Sequence, residues 1–185
     1  IFWIAIGLVG FFAVPWYVVE DFFKFEWLID GYPFDADYAP AAFLLGQAEK
    51  LWLAPLILPL LAPFAVLRKR KSDPLYARVL IVAGAIGLGW IILQGFSIGI
   101  RGWNFGWLQV FFGDLNDRQY GMGYGGMLVA VAFLFLFTQG IAARGAINGD
   151  VFVVSSISGI VVIVTIFVFF PIAKMLTAAF ITDGG

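Results

Sequence analysis

Apolar residues run in long blocks along this chain, and every charged residue falls outside them. No Asp, Glu, Lys or Arg occurs within 1–19, 51–67, 79–100, 123–143 or 151–170. A charged side chain at the centre of a bilayer costs about 2.5–3.5 kcal/mol or more, so charge-free stretches of about 20 residues predict transmembrane helices. The five blocks predict five spans, and the fold class is an all-α, polytopic integral membrane protein with short interfacial helices. Residues 1–19 would reach about 28 Å as a helix, with Pro15 kinking it near the interfacial pair Trp16 and Tyr17. Pro40 suits the start of a helix that leads through 41–50 into the second span.

Within the spans the residue types predict how the helices meet. Pro55, Pro59 and Pro63 recur every four residues, so they share one helical face and free several backbone carbonyls there, predicting a kinked structural helix. The third span is rich in small residues, among them Gly84 and Gly87, and ends with Gly95 and Gly99 spaced as GxxxG; Gly121 and Gly125 repeat that spacing at the fourth. Small residues let helix backbones approach closely, so these six glycines are assigned to helix packing. Gln94, Thr138, Gln139 and Thr165 are read as interhelical hydrogen bonders, and Ser155, Ser156 and Ser158 as back-bonding to their own helix.

Composition agrees with the pattern: 62% of the 185 residues are hydrophobic and 12% charged, mean hydropathy is +0.97, and soluble domains carry about 25% charge. The length leaves room for one membrane domain and no soluble one. A net charge of −1 points to no nucleic-acid partner. Its distribution is more informative. The turn after the second span holds Arg68, Lys69, Arg70, Lys71 and Arg78, which under the positive-inside rule is cytoplasmic and in contact with anionic lipid headgroups. Alternation then places 20–50 and 101–120 outside, 142–150 inside with Arg144, and the N-terminus in the cytoplasm. The tail after Pro171 is expected to emerge outside. The chain opens at Ile1 inside an apolar run, without a basic n-region or a cleavage site, so a missing start is expected and not a signal peptide.

Candidate chemistry is sparse. Cysteine and histidine are both absent, which removes disulfides, ordinary zinc or copper sites, histidine-ligated haem and Cys- or His-based catalysis. The spans hold none of the ionisable groups from which proton relays and ion pathways are built. No bound cofactor, metal ligand or catalytic residue is assigned, and the chain is read as non-enzymatic. The outer segment carrying Asp30, Asp35 and Asp37 offers oxygen ligands for a hard cation, but its spacing is not that of an EF-hand, and a solvated loop is expected. Aromatics crowd the same side, Phe22, Phe23, Phe25 and Trp27 after the first span and Trp103, Phe105, Trp107, Phe111 and Phe112 after the third. They predict an interfacial belt; a docking face for an external partner is the alternative.

The last block reads VFVVSSISGIVVIVTIFVFFPIAKMLTAAFITDGG. A hydrophobic helix closing in Phe-Phe-Pro, followed by Ala-Lys-Met-Leu and the pair Ala179-Phe180, resembles the first core helix of type I ABC importer permeases. The likeness is closest to the ferric-iron-type permeases of alphaproteobacteria. There the preceding chain carries additional spans similar to QYGMGYGGMLVAVAFLFLFTQGIAARGAINGD, so 1–150 would be an N-terminal membrane extension with four spans and 151–185 the start of the transport domain. The resemblance implies a cytoplasmic ATP-binding subunit and a periplasmic substrate-binding protein as partners, with ferric iron or a similar small solute as cargo. The Glu-Ala-Ala type loop by which such permeases meet their ATPase has no counterpart here, and no GxxxxGK[ST] is present for ATP hydrolysis. The chain is therefore expected to be an incomplete permease; otherwise it is an accessory structural subunit packed against a larger membrane complex.

Overall fold

The computed structural model describes residues 1–18, 25, 27, 31–99, 102–115 and 120–182. Among these the chain is mostly helical: α1 (Phe2–Phe12), α2 (Ala41–Gly46), α3 (Leu51–Val66), α4 (Pro74–Ser97), α5 (Trp107–Phe112), α6 (Tyr124–Ala143), α7 (Val151–Val164) and α8 (Phe170–Thr182). Three helices are long and apolar enough to cross a membrane: α4 with 24 residues, α6 with 20, and the continuous run Val151–Leu176 with 26. At 1.5 Å per residue they reach about 36, 30 and 39 Å, against a hydrocarbon core of about 30 Å. The protein is a helical membrane protein on that ground.

The ends of the predicted spans shift where local chemistry intervenes. Of the described residues 1–18, only Phe2–Phe12 is helical. Pro15 does not kink the helix; the chain has already left it, because the backbone here finds partners elsewhere. The Trp16 N–H donates to the Ala39 carbonyl at 3.1 Å and the Gly125 N–H to the Pro15 carbonyl at 2.8 Å. Beyond it β1 (Tyr17–Val18) pairs antiparallel with β4 (Gly121–Met122). The expected lead-in over 41–50 is also broken: α2 follows Pro40 as predicted but ends at Gly46, and Ala48 turns with a φ of 58°.

Helix α4 begins a turn earlier than the predicted 79, because the Asp73 carboxylate accepts the Leu75 N–H at 2.9 Å and Pro74 occupies the first turn. It stops at Ser97, where β2 (Ile98–Gly99) folds back on β3 (Gly102–Trp103). Helix α6 matches its predicted span to within a residue. After it, Gly145 adopts a left-handed φ of 92° and ends the helix. Asp150 then accepts the Phe152 and Val153 N–H groups at 2.9 and 3.2 Å and starts α7.

The tail does not leave the helix at Pro171, as the sequence predicts. Pro171 has no N–H for the Phe167 carbonyl four residues back. The chain answers with one π-helical turn over Thr165–Phe169, in which the Phe170 N–H reaches the Thr165 carbonyl, and α8 continues to Thr182.

Helix α6 is the centre of the bundle. Its faces receive α1, α4 and α7, while α3 packs on α4 and α1. Phe11, Trp52, Leu53, Leu56, Leu60, Val129, Phe133 and Leu136 form the buried core between them. Burying each such side chain contributes about 1.5–3 kcal/mol when the alternative is water, but far less against lipid. Contact in the spans therefore rests on close fit and hydrogen bonds. The antiparallel order brings the α3–α4 turn, the α6–α7 turn and the start of α1 to one end, where Ile1, Lys71 and Gly149 line a common cavity.

Candidate functional site

Two constellations stand at opposite ends of the bundle. At the first end, Arg68, Lys69, Arg70 and Lys71 lie exposed in the α3–α4 turn, with Arg78 exposed on α4 and Arg144 exposed after α6. The carboxylates nearby are engaged: Asp73 caps α4 and lies 3.7 Å from the Lys69 ammonium, and Asp150 caps α7. The positive charge of this end is therefore largely unopposed.

At the other end aromatic side chains close around one backbone carbonyl. In the first part of α3, Leu51–Leu56, the turns are 3₁₀. A 3₁₀ turn would pair the Trp52 carbonyl with the N–H of residue 55, and that residue is Pro55, which has none. Helix α4 supplies the missing donors: Trp90 Nε1 reaches the Trp52 oxygen at 2.8 Å and Gln94 Nε2 at 3.0 Å. The Trp52 indole N–H donates in turn to the Tyr17 hydroxyl at 3.1 Å. Trp103 stands edge-on to Trp52 at 5.4 Å, and the Lys50 ammonium sits 5.3 Å from the Trp52 ring centre and 5.8 Å from that of Tyr17.

Of the assigned packing glycines, four lie against a neighbouring helix. A Cβ added at Gly84 would stand 2.6 Å from Phe137 Cβ and 2.7 Å from the Phe133 carbonyl oxygen; at Gly87, 2.5 Å from the Phe133 ring; at Gly125, 2.5 Å from the Val14 carbonyl oxygen. A Cβ added at Gly95 would stand 3.3 Å from the Phe170 ring. Gly99 and Gly121 lie outside the helices, in β2 and β4, because the chain turns back there into short ladders. Gly7, Gly10 and Gly140 make equally close approaches, and their signal was their placement in apolar blocks.

The polar residues divide similarly. Gln94 bridges α4 to α3, and the Thr138 hydroxyl lies 2.9 Å from that of Ser155, joining α6 to α7. Thr165 instead donates to the Val161 carbonyl of its own helix at 2.8 Å. Gln139 faces the cavity of the basic end. In the loop between α1 and α2 the Asp37 N–H donates to Asp35 at 3.0 Å, while Asp30, Phe22 and Phe23 fall outside the described residues. Among the described residues no group of three His, Cys, Asp or Glu is placed to hold a metal ion. Trp107, Val110 and Phe111 of α5 face outward, whereas Trp103 and Phe112 turn in toward Trp52 and Trp90.

Comparison with known proteins was negative. No family model, curated protein or solved structure matches this chain. What the chain does must therefore be read from its own groups. Among the described residues both ends present hydrogen-bond donors, cations and aromatic faces, groups that bind and position.

Proposed function

We propose that this chain is the membrane-spanning N-terminal part of an ABC importer permease, for ferric iron or a similar small solute, and is not itself catalytic. The observation carrying the proposal is the helix that runs from Val151 through Pro171 to Thr182. It is strongly apolar over Val151–Leu176, interrupted by Ser155, Ser156, Ser158, Thr165 and Lys174, yet Phe152 is 79%, Phe167 76% and Met175 71% exposed. It touches the bundle through the Thr138–Ser155 pair at its start and through Phe170 against Phe96 at 4.9 Å further on. A helix apolar all round belongs among lipids or other helices. In this reading it is the first core helix of the transport domain, and residues 1–150 are an extension joined to it through α6.

The same proposal sets five crossings in a bacterial inner membrane, with the N-terminus in the cytoplasm. Helix α3 has only sixteen residues but eleven of them are 3₁₀, and at about 2.0 Å rise for those residues it reaches about 30 Å. Helix α1 would complete its crossing through the extended residues up to Tyr17. The ATP-binding subunit would lie at the basic end and the substrate-binding protein at the end of α2 and α5.

A second reading, an accessory subunit of a larger membrane complex, is favoured by Gly89 on α4 and Gly159 on α7, where nothing lies within 4 Å of an added Cβ. Such positions leave room for a neighbouring helix to approach closely. Purification of the native assembly in mild detergent separates the two. An ATP-hydrolysing subunit in stoichiometric amount is the expected companion; a stoichiometric place in a respiratory or photosynthetic assembly without one would replace the first reading by the second.

A further inference from the structure

A cavity of about 450 Å³ lies at the aromatic end, between α4, the β1–β4 ladder and the long terminal helix, within the range of small-ligand sites. Its walls come from residues 16 to 170, the interior of the chain. Ile91 and Ile98 line one side over about 10 Å of α4, Ile166 and Phe170 the other, and Met122 borders it from the ladder. Phe170 is held against Phe96 at 4.9 Å, so the terminal helix supplies a fixed wall. No Asp, Glu, Lys or Arg is among the described lining residues, and an apolar lining of this kind selects an uncharged ligand. Ile92 and Ile166, also on the walls, are about half exposed on helices long enough to span the membrane. The cavity is therefore reached from the side, where lipid chains lie.

Two polar side chains on this wall, Tyr17 and Gln94, are fixed by hydrogen bonds to one residue. The Trp52 indole N–H donates to the Tyr17 hydroxyl oxygen at 3.1 Å, and Gln94 Nε2 donates to the Trp52 carbonyl at 3.0 Å. These bonds leave the Tyr17 O–H without an acceptor and the Gln94 Oε1 without a donor among the described residues. Beside hydrocarbon no water supplies the missing partners. A hydroxyl answers both groups, because its oxygen accepts from Tyr17 and its hydrogen goes to Gln94. An ether or ester oxygen answers Tyr17 alone, and a bare hydrocarbon chain answers neither.

We propose that this cavity binds a neutral lipid alcohol, with its hydroxyl on Tyr17 and Gln94 and its chain along Ile91, Ile98 and Ile166. The proposal rests on the placement of the chain in a membrane and is independent of the importer reading. It differs from general contact with lipid in requiring a donor on the ligand for Gln94.

The protein in its native membrane is exposed to three photoreactive probes of equal chain length, each with a diazirine on the chain: a primary alcohol, its methyl ether and the corresponding carboxylic acid. Cross-linked peptides are mapped by mass spectrometry as probe concentration rises. The alcohol should label both walls, around Ile91–Ile98 and Ile166–Phe170, and should saturate at about threefold to tenfold lower concentration than the ether or the acid. Tyr17→Phe and Gln94→Leu should each raise the half-saturating concentration of the alcohol about threefold to tenfold, while Gln94→Leu leaves that of the ether unchanged. Trp90→Phe is the control: it removes the other donor to the Trp52 carbonyl from a residue outside the lining, and should leave alcohol labelling unchanged. Equal half-saturation by alcohol and ether would overturn the site in favour of unselective filling by lipid chains, and so would equal or tighter labelling by the acid. Weakening of the alcohol by Trp90→Phe as large as by Gln94→Leu would reduce Gln94 to a packing role and overturn it too, as would labelling that fails to saturate or misses either wall. The comparison of alcohol with ether needs no substitution, so it decides the matter even if a variant fails to fold.

Discussion

Gly125→Ala is expected to destabilise the bundle by about 2–4 kcal/mol, more than any other single added methyl group. The new Cβ would stand 2.5 Å from the Val14 carbonyl oxygen, 2.6 Å from that of Gly10 and 2.8 Å from that of Pro15. All three atoms belong to backbone and cannot rotate aside, so α1 and α6 must separate. Overpacking alone costs about 1–3 kcal/mol. Separation also stretches the bond from the Gly125 N–H to the Pro15 carbonyl, which contributes about 1 kcal/mol. Gly89→Ala is the control: its Cβ meets nothing within 4 Å, and removing a mid-helix glycine stabilises by about 0.5–1 kcal/mol. Unfolding in detergent, followed by circular dichroism, should move the two midpoints in opposite directions. A Gly125→Ala protein melting with the wild type would mean that α1 and α6 do not meet as described.

The second large effect concerns the Trp52 carbonyl and is expected to be non-additive. Trp90→Phe or Gln94→Leu alone removes one of its two donors and should cost about 1 kcal/mol each. Together they leave a carbonyl in a buried residue with no donor from α4 and no 3₁₀ donor from its own helix, because Pro55 has no N–H. An unsatisfied buried group costs about 1–3 kcal/mol beyond the lost bonds. The double variant should therefore exceed the sum of the singles by about 1 kcal/mol or more in a double-mutant cycle. Pro55→Ala restores an N–H in the 3₁₀ position and should recover part of that loss in the double variant while doing nothing useful in the wild type. Strict additivity, with no recovery, would contradict the role given to Pro55.

That carbonyl also illustrates what is legible in the chain. Regular proline spacing predicts freed carbonyls, and Gln94 in an apolar block predicts an interhelical donor. Their pairing depends on which faces of α3 and α4 meet, and on Trp90, whose indole reads from sequence as one more apolar side chain. The blocks themselves locate α4, α6 and α7 well because desolvating charge dominates every other local preference. Helix ends are less legible where the deciding partner is distant: Pro15 meets Pro40 and Gly125, and Gly99 folds back on Gly102. Pro171 misleads in the opposite direction. A proline near the end of an apolar run reads as a terminus, but a single π-helical turn absorbs it and the helix goes on.

The basic turn was legible as a charge cluster and not as a cavity. Lys71 and Ser72 announce themselves beside Arg68 and Arg70; Tyr76 and Gln139 line the same cavity only because α4 and α6 run antiparallel at close range, held by Gly84 and Gly87 against Phe133 and Phe137.

The proposed function sets the bundle across the membrane with its basic end in the cytoplasm. The chain has no cysteine, so single cysteines report without background. In intact cells an impermeant thiol reagent should label Asn104→Cys, in the turn after β3, and should leave Ser72→Cys and Asn148→Cys unlabelled until the membrane is permeabilised. Labelling of Ser72→Cys and Asn148→Cys with protection of Asn104→Cys would invert the orientation; labelling of all three alike would contradict a membrane-crossing bundle.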